Sequence, residues 1–291
     1  MATAVPDTTG PEVFRRHPAD PDDDVPIAGT AAVVTGTILR AARRAQDLGL
    51  ADAARALGTT AAGLAGIEGG VKPPSPRDLT RLLDLYELPR ADLHWPALTS
   101  LLDRSYGETA VDDGPGWYER LAWCEAEAER TTVYSATTLP HPVHTTAYSR
   151  LWWQAQVVRD APPPEAVEAR RRRPDDDRPM TLYLDESVLW RHTATTRAAI
   201  AAQFTHLSSL PWVEIRIVPL GLRAFPAGIL TALSLGSCRY LCAEETGAAA
   251  AYSTGRAAAQ RDTILTTLEA EARTPLLSAS LLRGAVTSYT P

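Results

Sequence analysis

The sequence predicts an α+β protein: an all-helical N-terminal part, then a larger α+β part with a small mixed sheet. Three observations carry that expectation. Residues 48–70, LGLADAARALGTTAAGLAGIEGG, repeat apolar residues at helical spacing on either side of Gly58. Residues 107–116, GETAVDDGPG, gather Asp, Gly and Pro and read as a linker. Beyond residue 179 the apolar period becomes two, with Met180, Leu182 and Leu184 alternating against Thr181, Tyr183 and Asp185.

Taken in order, residues 1–30 form an acidic, Pro-rich tail with no hydrophobic period. Residues 31–106 carry four helices up to residue 90 and a fifth or connecting helix after it. Ser75 is an N-cap, with Pro76 at the first helical position and Asp78 at the third. After the linker, residues 117–291 make up the second part. It opens with a helix over 117–134, in which Trp117, Leu121 and Cys124 follow helical spacing. LPHP breaks the chain, and another helix runs from His144 to Arg159. Residues 162–179 read as a solvated segment with a short helix around 164–173, because Arg170–Arg173 is followed at once by Asp175–Asp177. Strands follow in MTLYLDE, VEIRIVPL, ILTALSLG and RYLCAE, with AAAAYST as an added edge strand. Helices are expected at 194–209 and at 256–273, the latter closing the domain.

The frame residues Leu48, Ala54, Leu57, Gly58, Leu64, Ile67, Glu68 and Gly70 describe a helix, a tight turn and a second helix packed as one unit. This is a helix-turn-helix frame. Its second helix would enter the DNA major groove. The exposed positions there are Ala61, Ala62, Gly63, Ala65 and Gly66. Such side chains touch a thymine methyl at most and make none of the bidentate contacts worth about 1–3 kcal/mol each. Base-specific reading is therefore not expected. Arg40, Arg44, Arg55 and Lys72 remain as DNA-binding candidates, with Arg43, Arg77 and Arg81 beside them. Phosphate contacts position a protein without specifying a sequence.

Residues 36–90 resemble the XRE-type helix-turn-helix domain, from Ile38-Leu39-Arg40 through IEGGVKPPSP to Leu82-Leu83-Asp84-Leu85-Tyr86. The residues after them are similar to the antitoxin-like or regulator-like C-terminal domain that accompanies such units in high-GC bacteria. The matching pieces are Glu127-Ala128, LPHPVHTTAYSR, TLYLDESVLWR, PWVEIRIVPLG and FPAG. The resemblance implies a DNA-binding regulator acting as a dimer, with a small partner protein. Three positions depart from it. Leu50 stands where the family has a phosphate-clamping Gln, the reading helix is Ala and Gly, and His141 and His144 occupy a turn that in the family reads roughly LPGLLQT.

Those histidines suggest chemistry. His144, Tyr148 and Trp152 lie at helical spacing on one face, with His141 and Trp153 nearby. A histidine and a tyrosine against an aromatic wall can polarise a carbonyl or move a proton. Asp185 and Glu186 at a strand end form a second acid–base candidate. Trp152, Trp153, Trp190 and Tyr183 are the ligand-lining candidates. Each has a plainer reading: Trp152 as core, the histidines as loop and cap residues, and Asp185-Glu186 as charges at a helical turn. There is no GxGxxG, no Walker A loop and no GxSxG elbow, so no cofactor is expected, and no metal is expected because no His or Cys pair near Cys238 and Cys242 has zinc-site spacing. The expected function is binding of a small apolar metabolite with cofactor-free cyclisation, isomerisation or dehydration in specialised metabolism. The alternative is a DNA-binding regulator, and a homodimer is expected in either case.

Bulk composition narrows the classes. The 291 residues are 45% hydrophobic and 22% charged, which suits a protein with an ample core. A net charge of −6 argues against heavy non-specific nucleic-acid binding. Absence of a long apolar run or a signal-peptide pattern points to a cytoplasmic protein with no membrane partner. The three cysteines, Cys124, Cys238 and Cys242, read as reduced thiols.

Overall fold

In this computed structural model the described residues are 29–104, 107–154, 170, 176–191, 196–221, 228–236 and 240–289. Five helices come first: α1 (Thr30–Ala45), α2 (Leu50–Leu57), α3 (Ala61–Glu68), α4 (Pro76–Leu85) and α5 (Ala91–Arg104). Their boundaries follow local signals. The Ser75 hydroxyl accepts the Asp78 N–H at the start of α4, with Pro76 at the first turn. Gly36 lets α1 and α3 touch, since a Cβ there would stand 2.3 Å from the Ile67 carbonyl oxygen.

The second part is built on a mixed seven-stranded sheet of order β1-β7-β6-β5-β2-β3-β4. Its strands are β1 (Thr109–Asp112), β2 (Arg130–Ser135), β3 (Met180–Asp185), β4 (Val213–Val218), β5 (Ile229–Ser234), β6 (Tyr240–Glu245) and β7 (Ala250–Ser253). β2, β3 and β4 run parallel, and the pairings from β2 through β5, β6 and β7 to β1 are antiparallel. The helices are α6 (Trp117–Glu127), α7 (Thr146–Gln154), α8 (Arg197–Ser209), α9 (Gly255–Glu271) and α10 (Pro275–Tyr289). On one sheet face α6 and the N-terminal helices cover the antiparallel half, while α7, α8 and α10 cover the parallel half. α9 covers the other face through Ala258, Leu265 and Leu268. The expected α+β class is therefore the observed one.

Several elements differ from expectation. Residues 107–116 are not a bare linker, because β1 lies within them and pairs with β7 from Thr109↔Ser253 to Asp112↔Ala250. The helix expected over 117–134 stops at Glu127. β2 then runs between β5 and β3, buried on both faces, which removes the alternation that marks a strand. β7, expected as an edge, lies inside the sheet between β6 and β1. The chain does not close at residue 273. Pro275 starts α10, and the Ser278 hydroxyl accepts the Ile217 N–H at 2.8 Å. The acidic tail up to residue 28, the short helix at 164–173 except Arg170, and Cys238 lie outside the described residues.

The two parts meet in one continuous core, which runs from Leu39, Leu82 and Leu98 to Leu121, Leu233 and Tyr252. At the seam Arg120 of α6 is fully buried. Its Nε and Nη2 donate to the two Asp112 carboxylate oxygens at 2.7 and 2.6 Å. Its other N–H groups go to the Gly114 and Pro115 carbonyls and to His94 Nδ1 at 2.9 Å, so the guanidinium is saturated. Asp112→Ala would leave that buried cation without its carboxylate and should cost about 3–5 kcal/mol. Urea unfolding measures this. The exposed Asp113→Ala should stay within about 0.5 kcal/mol of the parent.

Candidate functional site

The helix-turn-helix is formed by α2 and α3. Gly58 ends α2 in the left-handed region, at φ 68°, where a side chain would be strained. Thr60 caps α3, its hydroxyl accepting the Gly63 N–H at 3.0 Å. Leu64 and Glu68 face inward, while Ala61, Ala62, Gly63 and Ala65 are exposed. Glu68 is the fixed point beneath α3. It accepts from Arg43 Nε at 2.8 Å, from Arg43 Nη2 at 2.9 Å and from the Tyr86 hydroxyl at 2.8 Å. Arg43 Nη1 also reaches the Leu48 carbonyl at 2.6 Å. Burial and Glu68 push the Tyr86 hydroxyl well above its usual pKa, so it remains a donor. α1, α3 and the end of α4 are joined through this buried carboxylate.

The cations divide into two sets. Arg40 and Arg44 both donate to Glu127 of α6, at 2.8 and 3.0 Å, and Arg55 pairs with Asp52 at 2.6 Å. Lys72, Arg77 and Arg81 are exposed and make no ion pair among the described residues. Arg43, expected beside the phosphate-binding candidates, is instead taken up by Glu68.

His141, His144, Tyr148 and Trp152 do come together, in a closed aromatic cluster. The His141 ring centroid lies 4.2 Å from Trp152, 4.6 Å from His144 and 5.1 Å from Tyr118. His144 Nε2 lies 2.9 Å from the Leu139 carbonyl, which can only accept, so Nε2 carries the proton. His144 Nδ1 then accepts from the Ser149 hydroxyl, at 3.4 Å. The Tyr148 hydroxyl lies 3.3 Å from Thr138 Oγ1 and accepts the Leu139 N–H at 3.4 Å. His141 Nδ1 is buried and has no hydrogen-bond partner among the described residues. Asp185 accepts the Ser187 N–H at 2.8 Å and caps the short 3-10 turn Glu186–Leu189.

Sequence reasoning missed Arg170. Expected in solvent, it is buried instead, bidentate to Glu125 and Glu245 at 2.7–2.8 Å and stacked 4.7 Å over the Tyr118 ring. The surrounding arginine run hides it. The only hint was Glu125, a charge on the apolar stripe of α6.

A family model described as a helix-turn-helix domain matches residues 36–95, and a model described as a domain of unknown function (DUF5753) matches residues 118–284. The chain belongs to the DUF5753 family. The first match agrees with the XRE-like reading of residues 36–90. No curated protein and no solved structure matches the chain.

Within the DUF5753 segment the four ligand-lining candidates do not make one wall. Tyr183 packs on the α9 side of the sheet, Trp152 packs on the opposite side, and Trp190 is 48% exposed. The Trp153 side chain lies outside the described set. A polar cleft of about 270 Å³ sits elsewhere, where the DUF5753 sheet meets α1 and α3, bounded by Arg40, Arg43, Leu50, Ala65, Glu68 and Leu235. Cys124 and Cys242 are buried free thiols, and burial pushes Cys242 up to about 12. No described helix is long and apolar enough to cross a membrane.

Two buried histidines give a pH signature. Burial, aided by Arg120 and Arg90, lowers His94 to about 4. Burial, then His144 and Arg170, hold His141 well below its usual value. Both groups titrate near ~6.5 in the unfolded chain. The unfolded state therefore binds more protons below that pH, and stability falls as pH drops from about 6.5 toward 4. The urea midpoint should be lower at about pH 5 than at about pH 7.5. His141→Phe, which keeps the aromatic edges, should reduce that difference.

Proposed function

We propose that this protein is a DNA-binding regulator that grips the phosphate backbone and discriminates by groove shape more than by base contacts. One observation carries the reading. α3 stands on the surface of a matched helix-turn-helix, and Lys72 just beyond it and Arg77 and Arg81 on α4 are exposed and make no ion pair among the described residues. Methyl-sized side chains let the α3 backbone come close to DNA, and sequence-dependent width and deformability then supply the discrimination. The reading includes a homodimer, whose two α3 helices would address half-sites about 34–36 Å apart.

The alternative, acid–base catalysis through His144 and Tyr148, has weaker support. Leu139 and Ser149 occupy both ring nitrogens of His144, and Thr138 and Leu139 engage the Tyr148 hydroxyl. Those bonds favour a role in holding the α7 turn.

Fluorescence anisotropy on labelled genomic fragments tests the regulator reading. Alanine at Lys72, Arg77 or Arg81 should weaken binding about equally on all fragments and reduce the salt slope by about 1 each. A triple variant that binds as tightly as the parent, with an unchanged slope, contradicts the proposal.

A further inference from the structure

The cleft between α1, α3 and the end of β5 draws its walls from both parts of the chain. Arg40 and Arg43 come from α1, Leu50 opens α2, Ala65 and Glu68 come from α3, and Leu235 follows β5. Most of its polar groups are already committed. Glu68 is taken up by Arg43 and Tyr86, and Arg43 by Glu68 and the Leu48 carbonyl. Arg40 is the exception. Its Nε donates to Glu127, while Nη1 and Nη2 make no hydrogen bond among the described residues. The side chain is 19% exposed and borders the cleft. Leu50, Ala65 and Leu235 provide apolar surface beside them.

A largely buried guanidinium whose parallel Nη donors are not taken up by the described residues recognises a carboxylate or a phosphate bidentately. The adjacent apolar wall suits a short hydrocarbon or aromatic body. A volume of about 270 Å³ holds only a small molecule.

We propose that this cleft is an effector site for a small organic anion, held by Arg40 and seated between α3 and the sheet, and that its occupancy lowers DNA affinity. The second half rests on the regulator reading. Ala65 lies on the exposed face of α3, so a bound anion adds negative charge beside the surface that DNA phosphates approach. Linkage then requires DNA to weaken the anion by the same factor that the anion weakens DNA.

Isothermal titration of benzoate and phenyl phosphate into the full chain tests the site, with acetate and inorganic phosphate as bare anions. Arg40→Gln removes the forked donors. Ala65→Leu fills the cleft and leaves Arg40 in place, so it carries the comparison if Arg40→Gln does not fold. The expected result is binding of the organic anions to the parent, tighter than the bare anions and about tenfold or more tighter than to either variant. No binding to the parent, or equal binding to all three proteins, overturns the site. A second arm measures DNA affinity with saturating benzoate. Anion binding that leaves DNA affinity unchanged overturns the coupling. Anion binding by a protein that binds no DNA at all overturns the regulator reading and leaves the site standing.

Discussion

The rest of the structure depends on Arg120. A fully buried guanidinium is stable only if every donor is met, and here Asp112, Gly114, Pro115 and His94 meet them all. Those partners come from β1, the turn after it and α5, so one side chain fixes how the helical part enters the sheet. His94 must accept at Nδ1, which requires a neutral ring, and burial beside two arginines keeps it neutral. Glu127 repeats the arrangement at the other end of α6 by drawing in Arg40 and Arg44 of α1. The helix-turn-helix is therefore mounted on the DUF5753 sheet and not hung from a flexible hinge.

This mounting bears on how α3 can work. A helix with long reading side chains adapts by rotamer changes, while one that offers methyls and hydrogens must rely on where its backbone is placed. The buried Arg43–Glu68–Tyr86 group and the shared core supply that placement. On the regulator reading, what α3 lacks in base contacts the cations at its end and on α4 would replace only with sequence-independent affinity. The same rigidity gives the cleft at α3 its interest, because anything seated there touches both the reading helix and the sheet.

Much of this was legible in the residues. The helix-turn-helix frame, the Ser75 cap and the alternation in β3 announce themselves because each is local. β2 was hidden because burial on both faces erased its period, so its residues read as the end of a helix. β1 was hidden inside a Gly- and Pro-rich stretch whose partner, β7, lies far along the chain. The histidine cluster was legible as a grouping, since His141, His144, Tyr148 and Trp152 are close in sequence, but its enclosure was not. Arg170 and the Arg40 cleft were illegible for one reason. Each is defined by side chains from distant segments, and spacing reports only on neighbours.

The central claim, that helix-turn-helix and sheet form one mechanical unit, is tested most directly by scanning calorimetry of the full chain. A single transition, with calorimetric and van't Hoff enthalpies equal, is the expected result. Two resolved transitions, with the helical part melting separately from the sheet, would contradict it.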